Sequence, residues 1–358
     1  MNTLSPEQKE LLFKLIRVKS FSKEVYKTEE ALKLIHSFLR KNRINSRINF
    51  VKGFPYLIAG DLIKTKYLFL SHIDVVPGQN NLFLPTIKGD KIFGRGTLDM
   101  KGPLTAALFS FIKIYKLGRR DFSFVVTSDE EIGGFNGSAF LATKIAKSTK
   151  LAIILDSLSG ENVVISQKAP FHIQIFHHGK SAHGSTPWKG INSAEKLTEC
   201  CLEIVSAVSG KNNNSTTAAV TQIHSGQSTN MIPDEASAAL DIRIRSRKEL
   251  RAILTKIQKI CQKHSCSFKK IDKPLFFETS RKSPYIKKWV QSFKKCNKVV
   301  PLLTVESGAS DARFLSNRGI DVLITSAEGG GAHSENEWVS VRSLNRLQFA
   351  LNEFCINL

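Results

Sequence analysis

The sequence lacks the features that mark membrane-bound and exported proteins. Its 358 residues contain no uninterrupted apolar stretch that approaches the ~20 residues a membrane-spanning helix needs. Residues 1–21 contain no apolar core of a signal peptide. We therefore expect a soluble, cytoplasmic protein that does not enter a membrane.

Cysteine is scarce and its spacing is uninformative. The sequence has 6 cysteines, none of which forms a Cys-x-x-Cys pair. Zinc knuckles and the disulfide frameworks of small secreted proteins are thereby excluded. We expect these thiols to be reduced and mostly structural.

Acidic residues are few compared with basic ones. The 31 Asp and Glu against 52 Lys and Arg give a formal net charge of +21. Such a charge is compatible with a basic nucleic-acid-binding protein. The lysines are dispersed rather than clustered, which favours a solvated surface over a nucleic-acid interface.

Length and pattern predict an α/β protein of two domains, because 358 residues with 42% hydrophobic content can bury a large core. A Ser-Pro-Glu-Gln sequence at residues 5–8 predicts the start of a helix that runs to Arg17. Alternating strands and helices then predict right-handed βαβ units and a parallel sheet. The predicted strands are 67–70, 122–126, 151–155 and 321–325, and the predicted helices are 103–116 and 138–147.

The periodicity changes after Asp156. Strands are predicted at 171–176, 217–223, 236–244 and 267–271, and helices at 194–208 and 249–261. This βαββαβ order is that of a ferredoxin-like unit, small enough to be a separate inserted domain.

Acidic residues and histidines stand where the predicted strands end. His72, Glu130, Glu131 and Asp156 each follow an apolar run, and the carboxyl ends of parallel strands meet at one edge of a sheet. Two further residues lie on glycine-rich connections: Asp99 after Gly94-Arg95-Gly96, and His333 after residues 329–331. Imidazoles and carboxylates are the ligands that divalent metals require. The pattern predicts a metal-dependent hydrolase.

These stretches resemble the co-catalytic zinc aminoacylase and carboxypeptidase family, as do residues 179–187, 230–233 and 310–314. The family includes succinyl-diaminopimelate desuccinylase, acetylornithine deacetylase, glutamate carboxypeptidase and several dipeptidases. The resemblance implies a zinc-peptidase-like catalytic domain with a mostly parallel sheet, formed by residues 1–166 and 277–358. Residues 167–276 would form the inserted ferredoxin-like lid and dimerisation domain.

The resemblance also implies two divalent metal ions. His72 and Asp156 would bind one ion, Glu131 and His333 the other, and Asp99 would bridge both. Zn²⁺ is the expected metal. Co²⁺ and Mn²⁺ are alternatives, because affinity and availability decide occupancy jointly.

Three residues are predicted to assist the chemistry. A metal-activated water would attack the amide carbonyl with Glu130 as general base. Adjacent residues of an extended chain point in opposite directions, so Glu131 could bind metal while Glu130 faces the water. Asp74, on the same side of a strand as His72, could accept the imidazole N–H. His183 resembles the oxyanion donor of the family, which often reaches into the site of a partner subunit; a homodimer formed through the inserted domain is expected.

The substrate is predicted less closely than the reaction. Arg243 and Asn230 match family positions that could bind a substrate carboxylate. Arg313 could do the same, or could form an ion pair with Asp311. The expected substrate is a small N-acyl amino acid or dipeptide.

The ending of residues 333–337 and the segment of residues 310–314 most resemble succinyl-diaminopimelate desuccinylase. Asp156, however, stands where desuccinylases and deacetylases usually carry Glu, whereas aminoacylases and dipeptidases often carry Asp. Residues 167–170 also lack an arginine that is expected beside a dicarboxylate acyl group. Dipeptidase, aminoacylase and acetylornithine deacetylase activities therefore remain alternatives. From other classes, a nucleic-acid-binding protein and a catalytically inactive dimeric module are alternatives.

Overall fold

The computed structural model describes residues 3–212 and 214–358. The helices are α1 Pro6–Arg17, α2 Val25–Lys41, α3 Lys101–Lys116, α4 Ser138–Lys144, α5 Ser193–Val208, α6 Leu250–Lys263, α7 Pro284–Asn297, α8 Ala312–Ser316 and α9 Val341–Ile356. The strands are β1 Ser46–Val51, β2 Phe54–Ala59, β3 Tyr67–His72, β4 Thr86–Lys88, β5 Lys91–Phe93, β6 Phe122–Thr127, β7 Leu151–Ile154, β8 Val163–Gln167, β9 Ala169–His178, β10 Ala182–His183, β11 Thr217–Ser225, β12 Met231–Ile232, β13 Glu235–Ile244, β14 Ser267–Lys270, β15 Phe277–Glu278, β16 Leu303–Glu306, β17 Asp321–Ile324, β18 Gly329–Gly330 and β19 Trp338–Ser340.

The chain divides into two compact units. Unit 1 comprises residues 1–166, 277–305 and 310–358, and unit 2 comprises residues 167–276 and 306–309. The short return of residues 306–309 to unit 2 was not indicated by the sequence.

The main sheet of unit 1 has the strand order β1-β2-β6-β3-β7-β17-β8-β15, with β16 paired to β8. Its four central strands, β6, β3, β7 and β17, are mutually parallel. The predicted parallel sheet is thereby confirmed. These strands are almost continuously apolar, as is typical of parallel strands that are buried on both faces.

Local signals in the sequence explain several helix boundaries. The Ser5 hydroxyl accepts a 3.2 Å hydrogen bond from the amide of Gln8, and Pro6 occupies the first turn, as predicted for α1. Helix α3 is buried along most of its length and packs between β3, β6 and α9. Phe111 of α3 stacks on Phe124 of β6 with ring centroids 5.6 Å apart. This core fixes the strands whose ends carry the acidic residues.

Unit 2 contains an antiparallel four-stranded sheet in the order β11-β13-β9-β14. Buried and more exposed residues alternate along β9 and β13, which indicates that one face packs against a core. Helix α5 packs on that sheet and α6 packs on α5. The predicted βαββαβ unit is confirmed.

No helix among residues 3–212 and 214–358 is long and apolar enough to cross a membrane.

Candidate metal centre

The parallel strands of unit 1 deliver acidic residues and a histidine to one edge of the main sheet. His72 is the last residue of β3, Glu130 and Glu131 follow β6, and Asp156 follows β7. Since β6, β3 and β7 are hydrogen-bonded neighbours, their carboxyl ends lie side by side.

Asp99 lies between the two histidines of this edge. Its Oδ1 is 3.1 Å from Nε2 of His72, and its Oδ2 is 3.0 Å from Nε2 of His333. The same Nε2 of His333 is 3.1 Å from Oε2 of Glu131. One carboxylate therefore presents a separate oxygen to each imidazole, which is the arrangement that a bridging ligand needs.

Two groups of side chains meet at Asp99. The first ligand cluster is His72, Asp99 and Asp156, and the second ligand cluster is Asp99, Glu131 and His333. Within each cluster, one ligand atom from every residue lies within 4.8 Å of the others. The structure brings together all five residues for which the sequence predicted a metal-binding role.

Burial and charge perturb the pKa values of these groups. Burial, followed by repulsion from Asp156, raises the pKa of Glu130 well above its usual range. Burial also raises the pKa of Glu131, against the effect of its contact with His333. The contacts with Asp99 and Glu131 raise the pKa of His333 to about 10.

The donor set fits divalent cations. Carboxylates that crowd into a buried site repel each other unless positive charge is present. Here that repulsion contributes to the raised pKa values of Glu130 and Glu131, while the contacts from His333 and His72 lower the pKa of Asp99 despite its burial. Cations held by the two clusters would supply the compensating charge, and the nitrogen and oxygen donors suit zinc.

Asp74 holds both His72 and the turn after β6. Nδ1 of His72 lies 3.0 Å from the Asp74 carbonyl oxygen and 3.4 Å from its Oδ1. The carboxylate also accepts hydrogen bonds from the amides of Glu130 and Glu131, at 3.3 and 3.0 Å. Strand β3 ends at His72, so the expectation that Asp74 shares that strand is wrong. The contact is made just beyond the strand, where the amide of Ile73 donates a 2.9 Å hydrogen bond to the carbonyl of Thr127.

Glu130 and Glu131 do not lie in extended chain. Residues 130–132 form a 3₁₀ turn closed by a left-handed Gly133, so the expected alternation of extended residues does not apply. The turn forms because the Asp74 carboxylate accepts hydrogen bonds from the amides of Glu130 and Glu131. Asp129 also accepts hydrogen bonds, from the amides of Asn136 and Gly137.

Arg313 is buried in unit 1 and faces main-chain oxygens. Its guanidinium donates to the carbonyl of Ser310 at 3.1 Å and to the carbonyl of Gly133 at 2.6 Å. The neighbouring Asp311 accepts a hydrogen bond from Ser138, and burial raises the pKa of its carboxyl to about 6. These contacts favour a structural role for Arg313 over the predicted substrate contact.

The other predicted residues belong to unit 2. His183 is exposed in β10, and its Nδ1 lies 2.8 Å from the Ser185 hydroxyl. Asn230 immediately precedes β12, in which Met231 pairs with His183, and the amide of Gly184 donates to the Asn230 carbonyl at 2.7 Å. Arg243 forms a two-pronged contact with Asp241, with two N···O distances of 2.8 Å. His183 and Asn230 thus form one local group, and Arg243 is engaged by a carboxylate of its own strand.

Sequence reasoning missed Glu337. This side chain is only 1% exposed, and its Oε1 accepts hydrogen bonds from the amides of Leu98 and Asp99. The sequence signal that could have indicated Glu337 is its position at the end of residues 333–337, a segment that resembles the desuccinylases.

Comparison with known proteins finds relatives over most of the sequence. Residues 68–355 match the family model described as peptidase family M20/M25/M40. A succinyl-diaminopimelate desuccinylase of Buchnera aphidicola subsp. Cinara cedri (strain Cc) is 26% identical over 365 residues, covering 94% of each chain. A [LysW]-lysine/[LysW]-ornithine hydrolase of Sulfurisphaera tokodaii is 28% identical over 354 residues, covering 97% of this chain and 96% of the relative.

Solved structures show the same fold. An M20 family metallo-carboxypeptidase of Sulfolobus solfataricus superposes with a TM-score of 0.76 at 19% identity, covering 98% of both chains. The expected fold and the expected class, a metal-dependent hydrolase of C–N amide bonds, are confirmed. Since the family model spans most of the sequence, this chain belongs to peptidase family M20/M25/M40.

Proposed function

We propose that the protein is a di-zinc amidohydrolase that releases the amine from a small N-acyl amino acid, most closely in the manner of a succinyl-diaminopimelate desuccinylase. The observation that carries the proposal is the position of Asp99, whose two oxygens face His72 and His333 separately. His72 and Asp156 hold the first cation, Glu131 and His333 hold the second, and Asp99 belongs to both sites.

The bound cations supply Lewis-acid polarisation of the amide carbonyl and acidity for a water molecule. Glu130 is the general base: its carboxylate takes a proton from the attacking water and returns it to the leaving nitrogen. The position of the side chain supports this role, because Glu130 lies next to a ligand of the second cluster but belongs to neither cluster.

Unit 2 is the lid and dimerisation domain of a homodimer, and His183 is its oxyanion donor. The exposure of His183 supports this role, because an oxyanion donor must be accessible to substrate. Asn230, beside His183, and Arg243 contact the substrate carboxylate. For Arg243 this requires the guanidinium to share or leave its contact with Asp241. The enzyme acts in the cytoplasm.

The substrate proposal draws on the two relatives. Their printed names, a succinyl-diaminopimelate desuccinylase and a [LysW]-lysine/[LysW]-ornithine hydrolase, describe different substrates at similar identity. Both names contain a diamino acid: diaminopimelate in one, and lysine or ornithine in the other. A dipeptide is the second candidate, because Asp156 matches the residue found in many aminoacylases and dipeptidases.

A substrate panel tests the proposal. Protein loaded with Zn²⁺ is offered N-succinyl-diaminopimelate, N-acetylornithine, N-acetyl amino acids and dipeptides, and amine release is measured. N-succinyl-diaminopimelate should give the highest kcat/KM, and a chelator should abolish turnover. A preference for dipeptides would replace the desuccinylase assignment, and turnover that survives complete metal removal would overturn the mechanism.

Glu130→Gln separates chemistry from metal binding. The variant keeps the size of the side chain but cannot accept the proton, so kcat should fall by about 10²–10⁴-fold. The number of bound cations should remain that of the parent protein. Full activity in this variant would remove Glu130 from the mechanism.

A further inference from the structure

A buried ion pair connects two chain segments that each carry a proposed ligand. Arg95 and Glu337 are 3% and 1% exposed, and their N···O distance is 2.8 Å. Arg95 precedes Asp99 on the connection to α3, and Glu337 follows His333 on the approach to β19. The pair therefore joins segments that are far apart in sequence and meet at the second ligand cluster.

Glu337 holds the Asp99 segment through main-chain hydrogen bonds. Its Oε1 accepts from the amides of Leu98 and Asp99, at 3.0 and 3.2 Å, while Oε2 accepts from Arg95. Hydrogen bonds to a charged carboxylate are stronger than those between neutral groups, and burial strengthens them further. The main chain of the proposed bridging ligand is thus fixed by a side chain outside both clusters.

Arg95 holds the His333 segment in the same way. Its second terminal nitrogen lies 3.4 Å from the carbonyl oxygen of His333. His333 has a φ of 63°, in the left-handed region that residues other than glycine seldom adopt. Such a conformation persists when the surrounding contacts hold it in place. The contact with Arg95 is one of those contacts.

We infer that the Arg95–Glu337 pair is a positioning element that sets the separation of Asp99 and His333, and with it the affinity of the second ligand cluster for its cation. This inference rests on the proposed function. Partners that orient metal ligands typically change metal affinity by about 10–100-fold when they are removed. The first ligand cluster shares Asp99 but takes His72 and Asp156 from other strands, so its affinity should change less.

Glu337→Gln provides the test. Glutamine keeps the length of the side chain and one carbonyl oxygen, but it lacks the charge that pairs with Arg95. Stepwise titration of the metal-free protein with Zn²⁺ against a chromophoric chelator gives two dissociation constants. One of the two steps should lose at least tenfold in affinity, whereas the other should change by less than threefold. Cobalt absorbance per equivalent added should show weakened binding of one equivalent only.

Glu161→Gln is the matched control. Glu161 pairs with Arg346 at 2.7 Å and accepts a hydrogen bond from Ser343, so this variant also loses a charged partner within unit 1. Neither of those contacts involves a residue of the two ligand clusters. Both dissociation constants should remain within about threefold of the parent values.

A second variant, at the other residue of the pair, tests the inference independently if Glu337→Gln does not fold. Arg95→Lys keeps the positive charge but replaces the planar fork, so one ammonium cannot reproduce both contacts with Glu337 and the His333 carbonyl. The dissociation constant that rises in Glu337→Gln should also rise in this variant, with the thermal midpoint of the metal-free protein preserved.

The outcomes distinguish this inference from the proposed function. Two unchanged dissociation constants in both folded variants would overturn the positioning role while leaving the di-zinc proposal intact. An equal loss at both steps would also overturn it, because the effect would not be specific to the second cluster. Failure of the parent protein to bind divalent cations would instead refute the proposed function.

Discussion

The amide of Glu131 donates a 3.0 Å hydrogen bond to Oδ2 of Asp74. The same oxygen accepts a 2.6 Å hydrogen bond from the Ser22 hydroxyl, and the other carboxylate oxygen accepts from the amide of Glu130. Asp74 also faces Nδ1 of His72. A single fully buried carboxylate therefore fixes one proposed ligand of each cluster and the proposed general base.

Asp74→Asn should disrupt this arrangement while changing little in volume. An asparagine amide would turn its NH₂ group toward N–H or O–H donors on one side, so at least one of the present hydrogen bonds becomes a repulsive contact. We expect a loss of about 10–100-fold in kcat/KM, with weakened metal binding. Steady-state kinetics and zinc content per chain measure the two effects.

Ser22→Ala is the control for this substitution. It removes one of the donors to Asp74 and leaves both main-chain amides in place, so its effect on kcat/KM should be several-fold smaller. Equal effects of the two variants would show that Asp74 acts mainly through Ser22.

The sequence predicted most of the elements that position the centre. The Ser5 cap and Pro6 defined the start of α1, because a cap is a local signal that needs no tertiary information. Strand β3 was recognisable as an apolar run that ends in a histidine. A parallel arrangement places residues from separate strands at one edge, which is why the sequence pattern could predict that His72, Glu131 and Asp156 lie close together. The individual ligand roles, including those of Asp99 and His333, came from the resemblance to the zinc aminoacylase and carboxypeptidase family.

The parts that the sequence did not predict depend on contacts between distant segments. The 3₁₀ turn at Glu130 forms around the carboxylate of Asp74, 56 residues earlier. The role of Glu337 depends on amides 238 and 239 residues away. Local propensity contains no information about either partner. Similarly, the contact of Arg313 with the Gly133 carbonyl spans 180 residues, and this contact favours a structural interpretation of Arg313.

Gly134→Ala should displace the turn that carries Glu130 and Glu131. Gly134 has a φ of 66°, and a β-carbon there would overlap Oδ1 of Asp311. The carboxylate cannot move freely, because Asp311 is buried and hydrogen-bonded to Ser138. We expect at least a tenfold fall in kcat/KM together with a lower thermal midpoint.

Gly118→Ala separates backbone strain from this steric effect. Gly118 also has a positive φ, of 87°, but no atom lies within 4 Å of the position that a β-carbon would take. This variant should lose about 1 kcal/mol of stability from backbone strain alone and keep its kcat/KM. A similar loss of activity in both variants would show that the crowding at Asp311 is not the cause.

Metal removal should lower the thermal midpoint of unit 1. Cations that bind only the folded state stabilise it by about 2.7 kcal/mol at a free concentration 100 times the dissociation constant. Chelation removes that contribution and restores repulsion among carboxylates such as Glu130 and Asp156. Calorimetry with and without a chelator measures the change, and addition of Zn²⁺ should reverse it. Identical midpoints would contradict cation binding at these clusters.

His172 gives unit 2 a stability that depends on pH. Its two ring nitrogens face Asp272 and Asp241, and the contacts with the carboxylates of Asp241 and Asp272 raise the pKa of His172 to about 9. A raised pKa in the folded state stabilises the protein below the unfolded value of about 6.5. The contribution is lost as pH rises through about 9, where the folded imidazolium releases its proton.

His172→Gln should therefore be more destabilising at pH 6 than at pH 10. The side chain is 37% exposed, so solvent screening limits the expected difference to about 1 kcal/mol. Urea unfolding of metal-free parent and variant proteins, followed by circular dichroism at both pH values, measures it. His224→Gln, at an exposed position of β11, should show the same effect at both pH values. A destabilisation by His172→Gln that does not change between pH 6 and pH 10 would mean that the imidazole acts there through packing rather than through its charge.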